Sequence, residues 1–216
     1  MKSLLLAFQF LTTFPIATRS DLQPSDYSGS LRWFFVVGFF IGVLQWLFAL
    51  IGHVLNLPVD LLAVLIVLVG IIATGGLHLD GVADATDGFG GGYDRESILR
   101  IMKDDRLGVF GVAAIMITLY LKIIATRLIL ISSHNEFLIL APVVSRMCIA
   151  CTCTLLPYAR EEGTGKNFAE GNFIKHCFFP GILTILLCVL VLREGAVRLI
   201  SVSIIASLIF VAYSKR

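Results

Sequence analysis

This chain is poor in charge. Only 15% of its 216 residues are Asp, Glu, Lys or Arg, against 57% hydrophobic, and its mean hydropathy is +0.91. A soluble domain of this length completes a core at far lower apolar content. The apolar residues also fall in long runs, which points to several membrane crossings. The formal charge of +2 gives no reason to expect nucleic acid as a partner. Five cysteines do not suggest a disulfide scaffold: Cys148, Cys151 and Cys153 share one apolar run, and Cys177 and Cys188 lie in or beside another. Their spacing lacks a nearby histidine to complete a metal set, so they read as small helix-packing residues. No cleavable signal stands out, because only Lys2 precedes the apolar residues 3–17 and Phe14-Pro15 is a poor cleavage site. Internal repeats and low-complexity tracts are also missing.

What the sequence does contain is six apolar runs, predicted to span at about 31–55, 59–79, 108–131, 136–157, 177–192 and 196–213. The last two are short enough to pair as a tight hairpin. Residues 3–17 are too short to span comfortably and are expected to be interfacial or re-entrant. The predicted fold class is therefore all-α, a polytopic integral membrane helix bundle forming a single membrane domain over residues 1–216. One face of this arrangement carries twelve basic residues: Lys2, Arg19, Arg32, Arg95, Arg100, Lys103, Arg106, Arg160, Lys166, Lys175, Lys215 and Arg216. The other carries Arg193 and Arg198. The positive-inside rule then puts both termini and the two long polar loops in the cytoplasm.

Lys122, Arg127 and Arg146 fall inside predicted spans. Arg127 is near a helix end and is expected to snorkel outward. Lys122 and Arg146 are nearer mid-span, where they either partner a buried acid or carbonyl or form an anion site.

Acid is scarce except in one place. The loop from 80 to 106 holds seven of the fifteen acidic residues and four of the seventeen basic ones. At about 100° per residue, Asp80, Asp84 and Asp87 point to about 0°, 40° and −20°, so a continuing helix brings all three onto one face. Packed carboxylates repel and need a cation, and their oxygens suit Mg²⁺, which takes substrate phosphates as further ligands. The plainer reading is a solvated loop with capping aspartates, with which Gly81, Gly88 and Gly90 to Gly92 also agree. On the functional reading, those glycines let backbone approach a phosphorylated ligand. His78 points near 160°, to the opposite face, and reads as structural. Residues 94–106 are predicted to form a short surface helix with an apolar stripe of Ile98, Ile101 and Met102. It ends in Lys103, Asp104, Asp105 and Arg106. Acids for a metal and bases for phosphate oxygens are what phosphoryl transfer requires. For Lys103 and Arg106, anchoring at the membrane surface is the alternative.

The stretch TGGLHLDGVADATDGFGGG, followed by RIMKDDRLGVFG, resembles the cobalamin synthase family, the adenosylcobinamide-GDP ribazoletransferases. FQFLTTFP, APVVSR and LPYAREEGTGKNF resemble the same family, in order, from residue 8 to about 168. The family has Ser where Asp105 stands, so the resemblance favours Asp104 over Asp105 as the essential residue. It implies a reaction in which α-ribazole or its 5′-phosphate attacks adenosylcobinamide-GDP and GMP leaves, with Mg²⁺ as cofactor. Read with the acidic stretch, it makes Asp84, Asp104, Lys103 and Arg106 candidate catalytic residues and Asp80, Asp84, Asp87 and Asp104 candidate metal ligands. Arg146, Lys122, Arg160, Lys166 and Asn167 are candidate substrate-binding residues. The loop at about 80–107 is expected to be catalytic and cytoplasmic, in the inner membrane of a bacterium or archaeon. Other enzymes of cobalamin assembly are expected neighbours. Two alternatives stay open: another Mg²⁺-dependent membrane transferase, a phosphotransferase or prenyltransferase acting on a diphosphate, or a transporter that uses its intramembrane charges.

Overall fold

The computed structural model describes residues 1–16, 22–160, 163, 165–169, 172 and 174–214, and all regular structure among them is helical. Arg19, Lys215 and Arg216, counted above on one membrane face, lie outside the described residues. In chain order come α1 (Lys2–Leu11), α2 (Pro24–Ser30), a 3-10 turn (Leu31–Trp33), α3 (Phe34–Val54), α4 (Val59–Thr74) and α5 (Leu77–Gly91). Then follow α6 (Arg95–Ile101), α7 (Val109–Ile131), α8 (Glu136–Leu155), α9 (Lys166–Ala169), a π turn (Ile174–Phe178), α10 (Phe179–Leu192) and α11 (Glu194–Ser214).

Five helical stretches are long and apolar enough to cross a bilayer: Pro24–Val54, Val109–Ile131, Glu136–Leu155, Ile174–Leu192 and Glu194–Ser214. The pair α4 and α5 makes a sixth if it counts as one broken span, for it bends by 87°. The chain is thus a multi-pass membrane protein, with five or six candidate spans among the described residues, in agreement with its hydropathy. The outer flanks of these helices expose large apolar residues such as Phe39, Phe48, Ile117 and Leu190, as lipid-facing surface should. At ten residues, α1 is too short to span, as expected.

The 87° bend differs from the sequence reading, which ran the second span through to residue 79. The cause is Gly75 and Gly76, with φ of +60° and +74°, a region that a Cβ resists. The Gly75 N–H donates to the Ile72 carbonyl (3.1 Å) and the Gly76 N–H to that of Ile71 (3.0 Å), which closes α4. The segment after α1 seals the same end. Thr13 donates its N–H to the Ala73 carbonyl (2.9 Å) and its hydroxyl to that of Ile72 (3.0 Å), carbonyls that lose helical partners at the break. With 16 residues, α4 is roughly 24 Å long, less than a hydrocarbon core of roughly 30 Å. The chain turns at the end of this short helix, and α5 runs crosswise to α4.

The tightest packing is between α3 and α8. A Cβ on Gly38 would lie 2.5 Å from the Pro142 carbonyl oxygen, and one on Gly42 2.5 Å from that of Ile139. Close backbone approach at small residues is the usual way that membrane helices associate. Around this contact Phe34, Val37 and Ile41 of α3 meet Met147 and Ala150 of α8, Leu11 of α1 and Phe168 of α9. Arg127 does not simply snorkel: it pairs with Asp60 at the start of α4, on the membrane face opposite the acidic loop.

Candidate active site

Past the bend the helix continues, so Asp80, Asp84 and Asp87 do ride on one element, α5. A cavity of about 790 Å³ opens beside it. Asp80 and Asp84 line one wall, and Lys103, Asp104, Asp105 and Arg106, from the turn between α6 and α7, line the facing one. Phe10 of α1 and residues 74–77 of the bend complete the enclosure. The turn is held close because glycines leave room for it. A Cβ on Gly88 would meet Met102 at 2.6 Å, and one on Gly92 would meet Ile98 at 2.6 Å. These glycines thus admit the protein's own loop, not the ligand that the sequence reading gave them. Gly76 and Gly81 do face open space.

The loop is built from local polar contacts. The Asp94 side chain accepts from the Ser97 N–H (2.7 Å) and starts α6 as a capping box, which holds the Asp94 carboxyl below its ordinary range. The Arg106 Nε donates to both oxygens of Asp104 (2.9 and 3.2 Å), and its Nη2 donates to Oδ2 at 2.6 Å. This fork pushes the Asp104 carboxyl well below the usual carboxylate range and the guanidinium upward. Asp104 therefore enters the cavity ionised.

Asp87 has another role in the fold. It lies outside the cavity lining, and its two oxygens accept the backbone N–H groups of Gly108 and Gly111, each at 2.8 Å. Gly108 is the N-cap of α7 and has no side chain to cap with. Asp87 supplies that cap from a different helix, and a Cβ on Gly108 or Gly111 would run into its carboxylate. Asp80, Asp84, Asp104 and Asp105 thus line the cavity, whereas Asp87, still a charge neighbour of Asp84 along with Asp80 and Asp105, has both oxygens engaged by the α7 amides.

Arg160, beyond α8, is within electrostatic reach of Asp84, and its Nη2 donates to the Met102 carbonyl at 3.4 Å. The Arg95 Nη2 donates to the Ala159 carbonyl at 2.9 Å. The two long polar loops are therefore tied together on one membrane face. Lys166 and Asn167 belong to α9, which packs on α2 through the buried Phe168, and neither lines the cavity.

Lys122 and Arg146 are elsewhere again. The sequence reading left Arg146 between a structural partner and an anion site. The structure places it with Lys122 in a second cavity of about 570 Å³, on the other flank of α5. His78, read from the sequence as structural, lines that cavity too. Its angular separation from Asp80 had already put it on the opposite face. Thr74 and Gly76 line both cavities.

Among the described residues no three His, Cys, Asp or Glu side chains close on one point as a metal cage. Two carboxylates four residues apart and a third across a cavity suit the other kind of divalent site. Mg²⁺ is commonly held by one or two carboxylates, with substrate phosphates completing its shell.

Fold and site together define an all-helical, multi-pass membrane protein with a mixed-charge cavity beside the helix that follows its broken span. Over residues 3–216 its sequence matches the family described as cobalamin-5-phosphate synthase, and the chain belongs to that family. It is similar to the adenosylcobinamide-GDP ribazoletransferase of Chlorobium phaeobacteroides (strain BS1), 36% identical over 197 residues, which cover 90% of this chain and 77% of that protein. The protein of the same name from Syntrophobacter fumaroxidans is 38% identical over 206 residues, 88% of this chain and 82% of the relative. That from Clostridium tetani is 31% identical over 215 residues, 98% of this chain and 84% of the relative. No solved structure matches the chain.

Proposed function

We infer that this chain joins adenosylcobinamide-GDP to α-ribazole or α-ribazole 5′-phosphate and releases GMP. A ribazole hydroxyl oxygen bonds to the cobinamide-side phosphorus. The bond from that phosphorus to the bridging oxygen breaks, and GMP leaves with the electron pair while the hydroxyl proton is lost. Family membership supports the reaction, and the single observation that favours this place for it is the 790 Å³ cavity, in which Asp80 and Asp84 face Lys103, Asp104, Asp105 and Arg106. The donor set fits Mg²⁺, with Asp80, Asp84 and Asp104 as the residues to hold it. When bound, the ion would neutralise charge on the diphosphate.

The chain's own groups do the rest. Lys103 and Arg106 hold phosphate oxygens, and the Arg106 fork on Asp104 keeps the acid ionised and aimed. Arg160, within electrostatic reach of Asp84, adds a cation for the substrate. Lys166 and Asn167, on α9, lie outside the cavity lining. Asp87 keeps α5 in register with α7, so that the other two aspartates face the turn. The distribution of basic residues supports a cytoplasmic membrane location with this cavity toward the cytoplasm. Other cobalamin-assembly enzymes would meet the protein on that side.

The test uses purified protein in detergent with both substrates, and GMP and corrinoid product are quantified together. The expected result is one GMP per product formed, with both lost on chelation of divalent ions. GMP without joined product would mean hydrolysis, and turnover indifferent to chelation would remove the metal.

A further inference from the structure

The second cavity has a chemistry of its own. Lys122 comes from the middle of α7 and Arg146 from the middle of α8, and no Asp or Glu is among the residues that line the space. Neither base has an ion-pair partner among the described residues. The Arg146 Nη1 donates to the Ser145 hydroxyl at 2.9 Å, but its Nε is buried without a hydrogen-bond partner, as is His78 Nε2. Cations at this depth are costly, and those that persist commonly mark an ion or substrate path. The remaining walls are largely apolar, with Ile41, Val67 and Phe137 among them.

We propose that this cavity binds the phosphate monoester of a phosphorylated nucleoside, the acceptor in the reaction inferred above, on which this proposal rests. A monoester carries about −1.5 to −2 at pH 7, which matches Lys122 and Arg146 together. A lipid phosphodiester carries a single charge and leaves one cation uncompensated. The apolar walls suit a flat aromatic base, and the few convergent polar groups fix its phosphate. The family description names a 5-phosphate product, so the acceptor brings a phosphate that the reaction does not touch. That group has to be kept away from the carboxylates and metal that handle the diphosphate. α5 provides the separation: Asp80 and Asp84 face one cavity, and His78, Leu79 and Val82 face the other. The two spaces adjoin at Thr74 and Gly76, and a Cβ on Gly76 would meet nothing. A nucleoside seated by its phosphate in the second cavity therefore borders the first.

The readout is the ratio of kcat/KM for α-ribazole 5′-phosphate to that for α-ribazole, in a neutral detergent free of phospholipid. For the wild type the ratio is expected to be at least about tenfold, the worth of one charge-assisted hydrogen bond. Arg146→Gln and Lys122→Gln should each bring it toward one. Asp84→Asn should lower both rates and keep the ratio. Added short-chain phosphatidylglycerol should leave the wild-type ratio unchanged. A wild-type ratio near one, or a ratio retained in both Gln variants, overturns the site. A wild-type ratio that collapses when the lipid is added assigns the cations to a lipid headgroup and overturns it as well. Wild-type protein that releases no GMP with either acceptor sinks the reaction itself, and the acceptor site with it.

Discussion

At the scale of single residues, three aspartates that look alike in the sequence have different duties. Asp80 and Asp84 face a cavity, while Asp87 caps α7. Removing such a cap costs about 0.5–2 kcal/mol. Asp87→Ala should accordingly lower the Tm of the detergent-solubilised protein, while the folded fraction keeps its dependence on Mg²⁺. An unchanged Tm with lost Mg²⁺ dependence would return Asp87 to the metal set. Helical spacing revealed that the three share a face, since 100° per residue holds wherever the helix runs. It could not reveal that Asp87 meets the Gly108 and Gly111 amides, because those belong to another element and arrive by tertiary packing. The Asp104–Arg106 fork was nearer to legible, its members being two residues apart.

At the scale of elements, the informative features are glycines. The pair at 75 and 76 lies in a continuous apolar run, and hydropathy is blind to φ, so the second span was read straight through the bend. That bend places α5 crosswise and makes both cavities possible. The α3–α8 contact was equally hidden, since a glycine carries no mark of what it faces. Its cost can be measured. A Cβ on Gly38 would collide with backbone at Pro142, and overpacking of this kind costs about 1–3 kcal/mol. Gly38→Ala should lower the Tm by an amount that Gly81→Ala, in open space, does not approach. Equal Tm values for the two variants would contradict the close packing.

At the scale of the molecule, the helix count was legible because a bilayer demands about 20 apolar residues per crossing, a rule that acts on sequence directly. The division of charge between two cavities was not legible, for Arg146 and Asp84 are separated only by how α5 lies between them. Topology can be checked at Tyr93, which is fully exposed at the tip of the acidic loop. In a background without the native cysteines, Tyr93→Cys should react with an impermeant thiol reagent only from the cytoplasmic side, and labelling from outside would invert the arrangement. Whether the acidic cavity on α5 performs the transfer is decided by Asp84→Asn, through GMP release per folded molecule across a Mg²⁺ titration. The expected variant inserts and melts like the wild type yet turns over roughly a hundredfold more slowly, about 2.7 kcal/mol of transition-state stabilisation, with the deficit deepest at low Mg²⁺. Wild-type turnover by that variant at limiting Mg²⁺ would contradict transfer in that cavity.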